Sequence, residues 1–287
     1  MPWRCEFGCI LYLHKPITHS LFFNMSGHGF IPDVIVPEDY VLGGFSKSPY
    51  DVLELDGQWD GALDYSDLQA KNGLETMNCT SYGTLNCLEL LYIRKFGTKQ
   101  DYSERYVGVV AETAPSGNSP KKVIDTIRKI CGLLDEIRLP FGPEINTWDG
   151  YYSPNPMTQE YLMAGLNWLK GHTINYEWVF TGGENKQEKL MEAIKYSPVG
   201  ASVFAWKERN GLFYKEFGEL DNHWISIYGY EKDKSWKVLD SYDNTLKKLE
   251  WNYDFGYAMR YSLTKIETES KRPWYINLWE YLKAVFT

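Results

Sequence analysis

The sequence predicts an α+β protein of two lobes, a helical lobe followed by an antiparallel β lobe, with the site in the cleft between them. Three observations carry this. Up to about residue 196 the apolar residues recur at helical spacing. After Pro198 short runs rich in Val, Ile, Tyr and Trp alternate with turn residues. A chain of 287 residues with 44% hydrophobic content is also long enough to bury a large core.

Residues 1 to about 45 mix Gly, Pro and polar residues without a sustained period, which predicts an N-terminal extension or an arm laid over the main body, with Met25 an alternative start. The main domain runs over 46–265, its helical lobe at about 69–170 and its β lobe at about 197–265. The stretch from Asp56 to Asn72 is turn-rich, and periodicity then begins abruptly at Cys79. Leu85, Leu88, Leu91 and Tyr92 repeat at helical spacing, Asn78 suits the N-cap and Gly97 the end, which predicts a helix over 79–96. Gly83 within it costs about 1 kcal/mol relative to Ala and calls for packing to support it.

A second helix is predicted over 120–131. Ser119 caps it, Pro120 takes the first turn, Val123, Ile124, Ile127, Ile130 and Cys131 form one stripe, and Gly132 ends it. Two more follow at 158–170, stopped by Gly171, and at 186–196, opened by Asn185 with Glu188 in capping-box spacing. Strands are predicted at about 199–206, 212–217, 223–230, 235–240 and 256–263. Pro273 opens a C-terminal amphipathic helix over about 273–286, within a segment 266–287, whose Tyr275, Leu278, Trp279 and Leu282 face suits docking on the body or assembly with another chain.

The formal charge of −8, without Lys and Arg clusters, argues against a nucleic-acid partner. No stretch reaches the roughly 18 apolar residues of a membrane span, and the N-terminal apolar run is too short for a secretory signal. Five unevenly placed cysteines fit a reducing compartment better than a disulfide framework, so a cytoplasmic protein or a part of an assembled particle is expected. Cys5, Cys9, His14 and His19 approach a zinc knuckle but miss its spacing, so neither a metal nor any other cofactor is expected.

The chemistry-bearing residues are few. A thiolate is a strong nucleophile, favoured at a helix N-terminus or beside an imidazole. Cys79 has the first position in its predicted helix, whereas Cys131 sits on an apolar stripe. Of the five histidines, His223 alone opens a predicted strand, in Asp221-Asn222-His223-Trp224; the next strand ends in Asp240-Ser241-Tyr242. Antiparallel pairing brings His223 and Asp240 to one end of the sheet, where a carboxylate fixes the imidazole tautomer and leaves its other nitrogen for the thiol. A core histidine and a strand-end aspartate are the alternative for this pair.

The region from about 69 to 265 resembles the papain-like cysteine peptidase superfamily. Cys79 and His223 are 144 residues apart, within the range of about 130 to 150 found in papain relatives. Asp240-Ser241-Tyr242-Asp243 stands where the family has an Asn-Ser-Trp-Gly run, and Asp101-Tyr102-Ser103-Glu104, Gly132-Leu133-Leu134 and Ser197-Pro198-Val199 keep the order of its landmarks. The chain departs from the family at Thr76-Met77-Asn78-Cys79-Thr80, which lacks the usual neighbouring Cys and Trp, and at Gly73, where the family has its oxyanion-stabilising Gln. Gln69, further upstream, takes that role if a longer loop intervenes. Asp240 in place of Asn favours the imidazolium more strongly than an amide would. Transglutaminase-like, bacteriocin-processing and cell-wall peptidase relatives remain open, with papain the nearer template by spacing.

The resemblance implies a hydrolase cleaving a peptide or amide bond of a peptide or protein substrate through an acyl-enzyme. Cys79 is its nucleophile, His223 its base, Asp240 its orienter and Gln69 its oxyanion donor. Gly117 and Asn118 resemble the loop that holds an extended substrate, and Asn222 and Tyr242 flank the triad as further substrate contacts. A second expectation, of another class, is a structural or assembly protein, such as a phage component, that keeps this fold with a silent site.

Overall fold

The helix predicted over 79–96 forms α1, Cys79–Phe96, in the computed structural model, which describes residues 28–42, 51–63, 67–152, 158–182, 185–243 and 245–266. Cys79 through Leu88 are all buried, so α1 is enclosed rather than laid on a surface. Gly97 ends it in the left-handed conformation, its N–H donating to the Ile93 carbonyl. The packing that supports Gly83 is a strand: a Cβ there would stand 2.8 Å from Trp224 Cδ1, and Ser226 Oγ donates to the Gly83 carbonyl at 2.8 Å.

Asn78 does not cap this helix. Its side chain is drawn into the helical lobe, where Nδ2 donates to the Glu104 carbonyl at 2.9 Å and to Tyr151 Oη at 3.2 Å. The other helices are α2 (Glu104–Val110), α3 (Pro120–Thr126), α4 (Trp148–Tyr152), α5 (Gln159–Gly171) and α6 (Lys186–Ala193). The predicted caps hold at α3, where Ser119 accepts from the Lys122 N–H, and at α6, where Asn185 accepts from the Glu188 N–H. The helical course continues to Cys131, but its second half, Ile127–Cys131, widens into a π turn and Ile130, expected on the buried stripe, is 49% exposed.

A two-stranded hairpin, β1 (Ala70–Lys71) and β2 (Leu74–Glu75), precedes α1. The main sheet has eight strands: β3 (His172–Trp178), β4 (Val199–Val203), β5 (Glu208–Arg209), β6 (Leu212–Phe213), β7 (His223–Glu231), β8 (Ser235–Leu239), β9 (Leu246–Glu250) and β10 (Ala258–Lys265), in the order β3-β10-β4-β7-β8-β9-β6-β5. All neighbours are antiparallel except β6 and β9. Three strands of this sheet were not predicted, the two-residue β5 among them. β3 follows α5 with no turn residue between them, and β9, Leu-Lys-Lys-Leu-Glu, has too few apolar residues to stand out. The sheet thus starts before residue 197.

Residues 28–42 form an arm across the body. Its far end joins the sheet edge, where the Trp178 N–H donates to the Tyr40 carbonyl and the Leu42 N–H to the Trp178 carbonyl, both at 2.8 Å. The predicted C-terminal helix and the Cys5 to His19 cluster lie outside the described residues.

Candidate active site

Cys79 opens α1, so its backbone N–H is the first of the helix and lies outside the helical ladder. Its side chain is wholly buried. His223 is the first residue of β7, and Asp240 follows directly on β8, which pairs with it from Ser226 opposite Leu239. The register places the two where the sequence expects them, with His223 Nε2 and Asp240 Oδ1 2.7 Å apart and both side chains buried. Asp240 Oδ1 also accepts the Tyr242 N–H at 3.1 Å. His223 Nδ1 is buried with no hydrogen-bonded oxygen or nitrogen, and the Cys79 thiol acts on this ring.

The electrostatics follow from these contacts. Burial by itself lowers the basicity of His223, but the charge and hydrogen bond of Asp240 outweigh it and Cys79 adds to them, so the imidazole is raised well above its ordinary pKa. For Asp240 burial works the other way, and His223 followed by Lys247 holds the carboxyl below the ordinary aspartate range. Lys247 Nζ is 2.8 Å from Asp240 Oδ2.

Gln69 is buried, and the β1–β2 hairpin takes up the extra chain between it and Cys79. Ser241 Oγ donates to Gln69 Oε1 at 2.8 Å, and Gln69 Nε2 donates to Glu75 Oε1 at 2.8 Å and to the His28 carbonyl at 3.3 Å. Both amide protons are therefore engaged, one by the body and one by the arm. Glu75 also accepts the Met77 N–H at 2.9 Å, and burial pushes its carboxyl above the ordinary range.

The arm is what closes the cleft. The N–H groups of His28 and Phe30 donate to the Asn222 carbonyl, at 3.1 and 3.4 Å. On the opposite wall the Asn118 N–H donates to the Gly29 carbonyl at 2.8 Å, and the Ile31 N–H donates to the Asn118 carbonyl at 2.9 Å. A Cβ on Gly117 would lie 1.9 Å from the Gly29 oxygen, and one on Gly29 would lie 2.2 Å from the Met77 oxygen, so only glycine lets the backbones approach this closely. Tyr242 meets the His28 ring edge-on at 4.8 Å. Gly117, Asn118, Asn222 and Tyr242, expected as substrate contacts, are thus all contacts of the arm. Phe30 stacks on Trp224, with ring centroids 5.8 Å apart and planes at 9°. Beside it a cavity of about 600 Å³ is lined by Phe30, Met77, Pro115, Leu220 and Tyr257.

Sequence reasoning missed Glu75, Lys247 and His28. Lys247 carried one signal: in β9 the period-two pattern leaves Leu246 exposed and turns a lysine inward. Among the described residues no group of three or more His, Cys, Asp or Glu side chains could hold a metal, and no helix is long and apolar enough to cross a membrane.

No family model and no curated protein matches the chain. Solved structures do. The cysteine protease and lectin-like domains of a surface layer associated protein of Clostridium difficile superpose with a TM-score of 0.58 at 15% identity, over 85% of this chain and 57% of that one. A digestive procathepsin L of Tenebrio molitor larval midgut gives 0.53 at 17%, over 78% of this chain and 73% of that one. The proform of a cysteine protease that is a major ragweed pollen allergen gives 0.50 at 16%, over 74% and 65%. This chain therefore spans between 57% and 73% of the length of these structures. At such identity the likeness is one of architecture, and with the α+β topology described above it establishes that the chain has the papain-like fold.

Proposed function

We propose that the protein is a cysteine hydrolase that cleaves a peptide or amide bond. The observation that carries this reading is the buried His223–Asp240 couple beside Cys79, with the free imidazole nitrogen left to a thiol at a helix start. Cys79 Sγ attacks the substrate carbonyl and its proton passes to His223 Nδ1. The imidazolium protonates the leaving amine as the tetrahedral intermediate collapses to a thioester, and water, deprotonated by the same nitrogen, hydrolyses it. The Cys79 N–H and Gln69 Nε2 stabilise the oxyanion. Glu75 holds one Gln69 proton, and the second, engaged by the His28 carbonyl, is released to substrate when the arm leaves.

In this reading residues 28–31 stand where substrate must lie, so the chain as described is closed. The complete burial of Cys79 and His223 favours a second reading, a structural or assembly protein in which the arm stays in place and the site is silent. The two are separated by treating the full chain, and a Gly29→Ala variant whose arm fits poorly, with a thiol-directed epoxide. A mass shift mapping to Cys79, faster in the variant and lost with His223→Ala, supports the hydrolase. A folded Gly29→Ala protein that stays unlabelled leaves the structural reading.

A further inference from the structure

A strand that packs one face on the core turns its apolar residues inward and its lysines outward. β9 breaks this rule at one end: Leu246 is exposed while Lys247 is 3% exposed. A local rule broken without a packing gain points to a functional demand. The ammonium group lies 2.8 Å from Asp240 Oδ2 and also pairs with Asp243. The Trp206 and Phe213 rings flank it at 5.2 and 5.5 Å, shielding it from water, and Thr245 Oγ1 accepts from it at 2.9 Å. Asp240 therefore faces His223 with one oxygen and Lys247 with the other.

We propose that Lys247 is a charge-balancing and positioning residue of the site: its ammonium, shared between Asp240 and Asp243, offsets part of the Asp240 charge that His223 faces. The proposal rests on the hydrolase reading for its purpose, though not for its test. Asp240 already raises the imidazole, and without the lysine it would raise it further, making the proton harder to hand to the leaving group. Lys247 opposes that by placing a positive charge across the carboxylate from the ring. It also fixes the carboxylate plane from the side opposite His223. The other groups acting on the imidazole are Cys79 on α1, Glu75 before α1, and the rings of His28 on the arm, Trp206 after β4 and Tyr242 after β8.

The test follows the His223 imidazole by nitrogen NMR against pH in the full-length chain carrying Cys79→Ala, with the signal assigned by its loss in His223→Gln. Lys247→Met should raise the titration midpoint by about one pH unit or more, the size expected for a unit charge one carboxylate away. Lys247→Arg keeps the charge and should stay within about half a unit of the parent. Asp240→Asn combined with Lys247→Met should bring the midpoint back down towards the parent, since the two charges removed are opposite and Asp243 is kept. Lys247→Gln serves in place of Met if the latter does not fold. A folded Met or Gln variant whose midpoint is unmoved or lowered, or a double variant that stays as high as Lys247→Met, overturns the proposal. None of these readings needs Cys79 to be a nucleophile, so an inert thiol in the parent with the expected imidazole shifts would sink the hydrolase reading alone.

Discussion

Phe30→Ala should expose the nucleophile without unfolding the protein. Phe30 is 7% exposed and is the anchor of the arm in the cleft, stacked on Trp224 and tilted against Tyr257 at 5.9 Å. Burial of a phenylalanine side chain is worth about 1.5–3 kcal/mol, and an offset aromatic pair adds about 0.5–1.5 kcal/mol. Areas taken from a folded structure overstate the gain, and alanine keeps one carbon, so about 2–3 kcal/mol is the working figure. That is roughly a 30- to 150-fold rise in the population with the arm undocked. Opening and closing that is fast relative to alkylation makes the labelling rate follow this population. The assay is pseudo-first-order alkylation by iodoacetamide at fixed pH, read by intact mass and peptide mapping, on the full chain and the variant. Cys87 and Cys131 serve as internal controls because both are buried in the body, so labelling of Cys79 alone reports local opening and labelling of all three reports unfolding. A folded Phe30→Ala protein in which Cys79 reacts no faster than in the parent would refute the claim that the arm gates the thiol.

In the native parent Cys79 should be the only one of the three mid-chain thiols to react; burial pushes Cys87 up to about 12 and Cys131 higher still, and both should wait for denaturant. His223→Ala should slow Cys79 labelling near neutral pH by about tenfold or more, measured in the Phe30→Ala background, because the base that takes the thiol proton is gone. Glu136 is raised to about 7, by burial first and then by Asp67 and Asp101, against a hydrogen bond from the Phe141 N–H. Its stabilising contribution is thus present below its unfolded value and lost as pH rises through about 7, so Glu136→Gln should raise the urea midpoint at pH 8 more than at pH 5. Equal shifts at the two pH values would count against it. Glu177→Ala should cost about 3–5 kcal/mol in urea unfolding, because it removes a carboxylate paired with the buried Arg260, which is 2% exposed.

The helices were legible where their ends are marked by residues with one dominant use. Gly97 must end α1 because it supplies a left-handed residue, and Ser119 and Asn185 cap because their side-chain oxygens accept the otherwise unpaired N–H groups of the first turn. Asn78 shows the limit of that reasoning: as an isolated letter it is a good cap, yet buried between α1 and α2 it satisfies the Glu104 carbonyl instead, which no local pattern reveals. The His223–Asp240 contact was legible because the β7–β8 turn is short and the two strands pair antiparallel, which brings the start of one beside the end of the other despite a β-bulge between Ile227 and Gly229. The position of Gln69 was not legible from spacing, since the β1–β2 hairpin that absorbs the additional residues consists of two-residue strands with no periodic signal.

What sequence could not reveal lies in contacts between segments far apart in the chain. Gly117 and Asn118 read as a substrate loop, and Asn222 as a neighbour of the base; nothing in either stretch says that residues 28–31 fill the space between them. Yet the arm explains features that its own composition leaves idle. Gly29 is required by the approach of the Met77 oxygen, Phe30 by the face of Trp224, and Asp33 by the start of α3, where its carboxylate accepts the Lys121 N–H at 3.0 Å. Three demands along the arm met by three different residue types make its docked position a specified one. The same argument bears on Lys247: an apolar residue would serve the core better at that position, and the carboxylates of Asp240 and Asp243 give a buried ammonium group its purpose there.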